Sequence, residues 1–227
     1  MPPISLAVLD MAGTTVRDDG AVEQAFRTAA DRTSLATDEA ALATMLDYVR
    51  ETMGESKISV FRHLTDGDEQ RAQQANAAFE SAYAEGLASA GCEPLPGAEA
   101  AMAQLREAGI KVALTTGFSR ATADAILDAL GWHERIDLSL TPADAGRGRP
   151  YPDMPLTALL RTETDSVRQL AVVGDTRYDV LSGLSSGARI AAGVLTGAHD
   201  ERTLREAGAT DVCADITAFS DLVLQVR

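Results

Sequence analysis

The stretch Leu6-Ala7-Val8-Leu9-Asp10-Met11-Ala12-Gly13-Thr14-Thr15 decides the fold. The apolar run 4–9 has the length of a buried strand, and Asp10 closes it with a carboxylate. Open α/β sheets place their chemistry at the carboxyl ends of their strands. An aspartate there, followed by a glycine turn and the Thr14 hydroxyl, can act as nucleophile and metal ligand together.

Beyond residue 110, apolar runs at 110–114, 136–140, 170–173 and 190–195 read as strands, and amphipathic stretches at 120–130, 154–160 and 180–185 read as helices. This βαβ alternation predicts an α/β fold with a doubly wound, mainly parallel sheet. Residues 17–92 differ: they carry helical periodicity, with expected helices at 22–30, 39–52, 56–64 and 69–88. That segment is too long for a loop and reads as an inserted helical cap. Glu93-Pro94-Leu95-Pro96-Gly97 breaks helix before Ala98 restarts one, marking the return to the core. The expected organisation is a core of 1–16 and 93–227 around a cap of 17–92.

Composition sets limits on the partners. A chain of 227 residues with 45% hydrophobic and 24% charged residues is globular, and a net charge of −14 argues against a nucleic-acid partner. Cys92 and Cys213 are isolated, with no metal-binding or disulfide spacing. Apolar stretches all fall short of the ~18 residues of a membrane span, and no basic segment precedes a hydrophobic one near residue 1. The expectation is a cytoplasmic enzyme acting on a small molecule, with no membrane partner.

Three further strand ends carry groups that complement Asp10. The run 112–114 is followed by Thr115-Thr116-Gly117, where the Thr116 hydroxyl and the Gly117 amide can hold phosphoryl oxygens. Arg147-Gly148-Arg149-Pro150 supplies a fixed guanidinium suited to phosphate. Gly174-Asp175-Thr176-Arg177-Tyr178-Asp179 places two acids four apart after a strand. Oxygens from Asp10, Asp175 and the Ala12 carbonyl, with Asp179 bound directly or through water, suit Mg²⁺. Singly, each has a bland explanation: a strand-end aspartate caps helices and Asp179 favours a helix start. All four in this order are hard to explain by packing.

In this arrangement the chain resembles the haloacid-dehalogenase superfamily of hydrolases over essentially its whole length. The resemblance implies a Rossmann-like core of five or more strands, Mg²⁺, and an aspartyl-phosphate on Asp10. It also implies phosphate-binding roles for Gly13, Thr14, Thr116, Gly117 and Arg149. In most phosphatases of that superfamily a second aspartate, two residues after the first, protonates the leaving oxygen, an effect of roughly 10²- to 10⁴-fold. Here Ala12 stands in its place. Ala12, the Thr115-Thr116 pair and Arg149 before Pro150 resemble the phosphonatase branch, which cuts a carbon–phosphorus bond.

Such cleavage needs an electron sink, and the branch uses an iminium on a cap lysine within Met-Gly-x-x-Lys. Met53-Gly54-Glu55-Ser56-Lys57 matches that segment. The resemblance thus implies a Schiff base on Lys57, with Met53 beside the substrate, and a homodimer joined through the cap. Lys111, the other lysine, falls at the foot of the second strand, where it should face away. Departures include Val60 where the branch has histidine, with His63 three residues on, Phe118 for tyrosine and Gly20 for cysteine. The expected activity is Mg²⁺-dependent hydrolysis of phosphonoacetaldehyde or a close 2-oxo-ethylphosphonate. Its alternatives are a phosphatase on a small phosphate monoester and a non-catalytic phosphate-ligand-binding protein. A dehalogenase fits less well, because halide departure leaves the Asp175/Asp179 pair idle.

Overall fold

The computed structural model describes residues 2–226. The chain runs β1 (Leu6–Asp10), α1 (Ala21–Thr33), α2 (Glu39–Glu51), α3 (Lys57–Leu64), α4 (Glu69–Ala90), α5 (Ala98–Glu107), β2 (Lys111–Thr115), α6 (Arg120–Leu130), β3 (Leu138–Leu140) and α7 (Pro142–Ala145). It continues through α8 (Asp153–Arg161), β4 (Leu170–Gly174), α9 (Arg177–Ser186), β5 (Ile190–Val194), α10 (Glu201–Glu206), β6 (Asp211–Cys213) and α11 (Ile216–Gln225). Six parallel strands form one sheet in the order β3-β2-β1-β4-β5-β6.

β1 lies between β2 and β4, and both of its faces are covered, which is why its sequence is continuously apolar instead of alternating. Successive side chains still go to opposite faces. Leu6 and Val8 join Ala113, Leu140, Ala158 and Val172 on one side, while Ala7 and Leu9 join Met102, Leu105, Val173 and Phe219 on the other. The register pairs Asp10 with Thr115 and Leu9 with Val173, so the carboxyl ends of β1, β2 and β4 lie level. The chain builds β2 and β3 to one side of β1 and then places β4 on the other. A crevice therefore opens beyond the ends of β1 and β4, the switch point where such sheets bind ligands.

The strands and helices expected from periodicity form within a few residues of their expected bounds. The sequence reading lacks α7, β6, α10 and α11. β6 is a three-residue edge strand, too short to display a period.

Helices α1–α4 stand together between β1 and α5. Asp38 and Asp68 cap α2 and α4 by accepting from the Ala41 and Arg71 amides. Phe26, Phe61 and Phe79 fill the interior of this bundle, with Phe26 4.8 Å from Phe61 and 4.7 Å from Phe79 between ring centroids. Tyr83 extends the cluster to Phe118, just past β2, at 4.6 Å. The two connections to the sheet run side by side, the Arg17 amide donating to the Glu93 carbonyl and the Leu95 amide to the Thr15 carbonyl. Because Phe79 is fully buried at the centre of these rings, Phe79→Ala should cost about 3–5 kcal/mol of unfolding free energy in urea titrations.

Candidate active site

Beyond the strand ends lies a cavity of about 420 Å³ whose wall includes Asp10, Ala12, Gly13, Met53, Gly54, Lys57, Thr116, Gly117, Phe118, Arg149 and Asp175. Most of the residues expected to carry chemistry meet here. Two stand one layer back: Thr14, wholly buried, turns its hydroxyl to Asp175 Oδ1 at 3.4 Å, and Asp179 lies behind Arg149.

The acidic floor is tightly organised. Arg149 Nη2 donates to Asp10 Oδ1 at 2.5 Å and to Thr115 Oγ1 at 2.9 Å, while Nε meets Asp179 Oδ1 at 2.6 Å. Asp179 also accepts from the Thr176 hydroxyl at 2.5 Å and amide at 3.2 Å, a capping box that fixes the start of α9. Asp175 accepts from the Ala198 amide at 2.7 Å, and the Thr196 hydroxyl donates to the Gly13 carbonyl at 2.7 Å. The loop after β5 thus clamps both acidic turns. Sequence reasoning missed this loop because it contributes mainly backbone groups, which leave no mark on residue type.

Gly13 is needed at its position. Its φ of +85° suits glycine, and a Cβ there would lie 2.6 Å from Asp175 Oδ2.

Oxygens of Asp10, Asp175 and Asp179 all lie within 4.8 Å of one another, and all three residues are buried. Arg149 is the buried cation in direct contact with Asp10 and Asp179. Burial drives the Asp10 carboxyl up to about 7; Arg149 opposes the shift and Asp179 adds to it. Burial, then Asp10 and Asp179, push Asp175 well above the carboxylate range. Two buried acids in excess of their counter-charge, with hard oxygen donors, fit a divalent cation such as Mg²⁺.

The upper wall is Lys57, the first residue of α3. The turn that delivers it is docked on the sheet by backbone: the Lys57 amide donates to the Gly117 carbonyl at 3.2 Å, and Arg149 Nη1 to the Gly54 carbonyl at 3.3 Å. Gly54 has φ +101°, and a Cβ there would run into the Thr176 side chain; one on Gly117 would meet the Glu55 carbonyl at 2.5 Å. Both glycines permit this approach. Lys57 Nζ lies 5.3 Å from the Phe118 ring centroid and 5.9 Å from that of Phe26. Burial lowers its pKa against the pull of Asp18 and Asp10, and Arg149 lowers it further.

Lys111 sits at the amino end of β2 with Nζ on the Thr162 carbonyl, away from the cavity. Val60 is in the hydrophobic interior. His63 does not approach the cavity: it is exposed and stacks on Tyr48 at 4.0 Å. The sequence reading also missed Asp18 and Arg50 on the cavity wall, since charged residues near helix ends are common without a ligand.

The family model described as haloacid dehalogenase-like hydrolase matches residues 4–187. The phosphonoacetaldehyde hydrolase of Parabacteroides distasonis is 34% identical over 110 residues, covering 47% of this chain and 40% of that protein. The match thus spans about two-fifths of that relative's length. The protein named "Probable phosphatase IndB" from Dickeya dadantii is 27% identical over 221 residues, 96% of this chain and 91% of that protein. A solved phosphonoacetaldehyde hydrolase-like protein from Oleispira antarctica superposes with a TM-score of 0.83 at 22% identity, over 99% of this chain and 93% of that one. At that identity the superposition shows the fold.

A lysine whose folded pKa is depressed destabilises the protein at every pH below its unfolded value, ~10.4. The cost is complete below the folded pKa and fades as pH rises through it toward the unfolded one. Lys57→Met removes the charge and keeps the bulk. Its Tm should exceed that of the wild type at neutral pH, with the gap closing as pH approaches ~10.

Proposed function

This chain belongs to the haloacid dehalogenase-like hydrolase family, and within it we propose that the protein cleaves the carbon–phosphorus bond of phosphonoacetaldehyde or a close 2-oxo-ethylphosphonate. The observation that carries the reading is the buried Lys57 amine, held on the wall of the same cavity as Asp10 and Arg149 and biased toward its neutral form.

Expelling carbon from phosphorus without an acceptor for the bonding electrons would create a free carbanion. A neutral Lys57 amine condenses with the aldehyde and, with uptake of one proton, releases water and leaves an iminium. Asp10 then attacks phosphorus; the C–P pair moves into the C–C bond, and the iminium collapses to a neutral enamine. No leaving oxygen needs a proton, which agrees with Ala12. Protonation at carbon and hydrolysis of the imine release the aldehyde, and water cleaves the aspartyl-phosphate to inorganic phosphate. Thr116, the Gly117 amide and Arg149 hold the phosphoryl oxygens, with Gly13 leaving them room and Met53 bounding the organic part. Mg²⁺ held by Asp10, Asp175 and the Ala12 carbonyl, with Asp179 binding directly or through water, would supply charge neutralisation to the phosphoryl group.

A second reading, phosphatase action on a small phosphate monoester, draws on the relative named as a probable phosphatase, whose match extends over nearly the whole chain. The two differ at Lys57. With phosphonoacetaldehyde, borohydride should trap a mass adduct mapping to Lys57, and Lys57→Ala should lower kcat/KM by about 10³-fold or more. Substantial phosphate release by Lys57→Ala would favour the ester. Treatment with EDTA should abolish turnover in either case, with recovery on adding Mg²⁺.

A further inference from the structure

The proposed reaction requires the Lys57 ammonium to give up a proton before it can attack a carbonyl. The charged groups acting on Lys57 are Asp18, on the connection from β1 to α1; Asp10, at the end of β1; Arg149, on the segment after α7; and Glu80, on α4. Arg149 is a cation. Asp10 is clamped by Arg149 and must stay unprotonated to attack phosphorus. Glu80 has both oxygens engaged: one accepts from the Ser119 amide at 3.3 Å, and the other from the Ser119 hydroxyl at 2.7 Å and the Thr122 hydroxyl.

Asp18 remains. It is half-buried on the cavity wall shared with Lys57. Its carboxylate accepts from the Val22 amide at 3.1 Å, so backbone at the start of α1 orients it, and among the described residues no side chain hydrogen-bonds to it. Burial pushes its pKa up, toward that of a useful base, against the opposing pull of the Val22 amide and Lys57. Tyr83 and Asp19 bring it no positive charge, and the two arginines of the same wall are paired elsewhere, Arg17 with Asp19 and Glu93 and Arg50 with Glu23 and Asp47.

We propose that Asp18 accepts the Lys57 proton across one water molecule and returns it to the departing hydroxyl during iminium formation. The exchange balances: the ammonium and aldehyde give a protonated imine and one water, and Asp18 ends as the carboxylate it began as. The inference rests on the Schiff-base reading.

Asp18→Asn tests it, since asparagine can still accept from the Val22 amide while losing the base. The rate at which borohydride traps the Lys57 adduct, and kcat/KM for phosphonoacetaldehyde, should fall about 10²-fold or more. A purely electrostatic role predicts the opposite sign. Removing the Asp18 charge lowers the Lys57 pKa further, so the acid limb of the pH–rate profile would move to lower pH and trapping would speed up. Asp18→Ser, which keeps a capping oxygen without a carboxylate, repeats the measurement should the asparagine variant fold poorly. A wild-type adduct on Lys57 that forms as fast or faster in the variants overturns the role of Asp18 and leaves the Schiff base standing. Absence of any wild-type adduct on Lys57 overturns both.

Discussion

Arg149 holds Asp10 at 2.5 Å on one nitrogen and Asp179 at 2.6 Å on another, with all three side chains buried and Asp10 and Arg149 lining the cavity. One guanidinium serves three clustered carboxylates, and burial first, then the neighbouring carboxylates, pushes Asp10 and Asp175 upward. Much of the surrounding architecture answers that constraint. Thr14 and the Ala198 amide hydrogen-bond Asp175, Thr176 caps against Asp179, and the glycine turn after β1 brings its backbone in close. A divalent cation held by these acids would offset the excess negative charge.

The second feature is an amine brought to that floor from a different part of the chain. Here main chain does most of the positioning. The turn ahead of α3 meets Gly117 and Arg149 through carbonyls and amides, and Gly54 approaches Thr176 more closely than any side chain would permit. The aromatic cluster from Phe26 to Phe118 ties the helices to the sheet and provides Lys57 with an apolar wall. Burial there disfavours the ammonium, and the ring faces offset part of that cost. The same burial that favours a nucleophilic amine therefore lowers stability, a trade expected where function requires an unfavourable environment.

Most of the sheet, the four-helix insertion and the residues of the acidic floor were legible in the sequence, while the edge strand β6 was too short to show. Continuous apolar runs ending in Asp10, Thr115 and Gly174 can only be buried parallel strands, and strand ends in such a sheet must converge. Local periodicity likewise marked α1 to α4, because each buries one stripe against its neighbours. Only the tertiary structure decided where side chains from distant segments point. His63 and Val60 share α3 with Lys57, yet one stacks on Tyr48 in solvent and the other enters the hydrophobic interior, while Asp18 reaches the cavity. Helix phase and backbone docking settle such questions, and neither is written in residue type. The clamp by the Thr196 hydroxyl and the Ala198 amide was invisible for the same reason, since each finds its acceptor only when the fold carries the loop to the acidic turns.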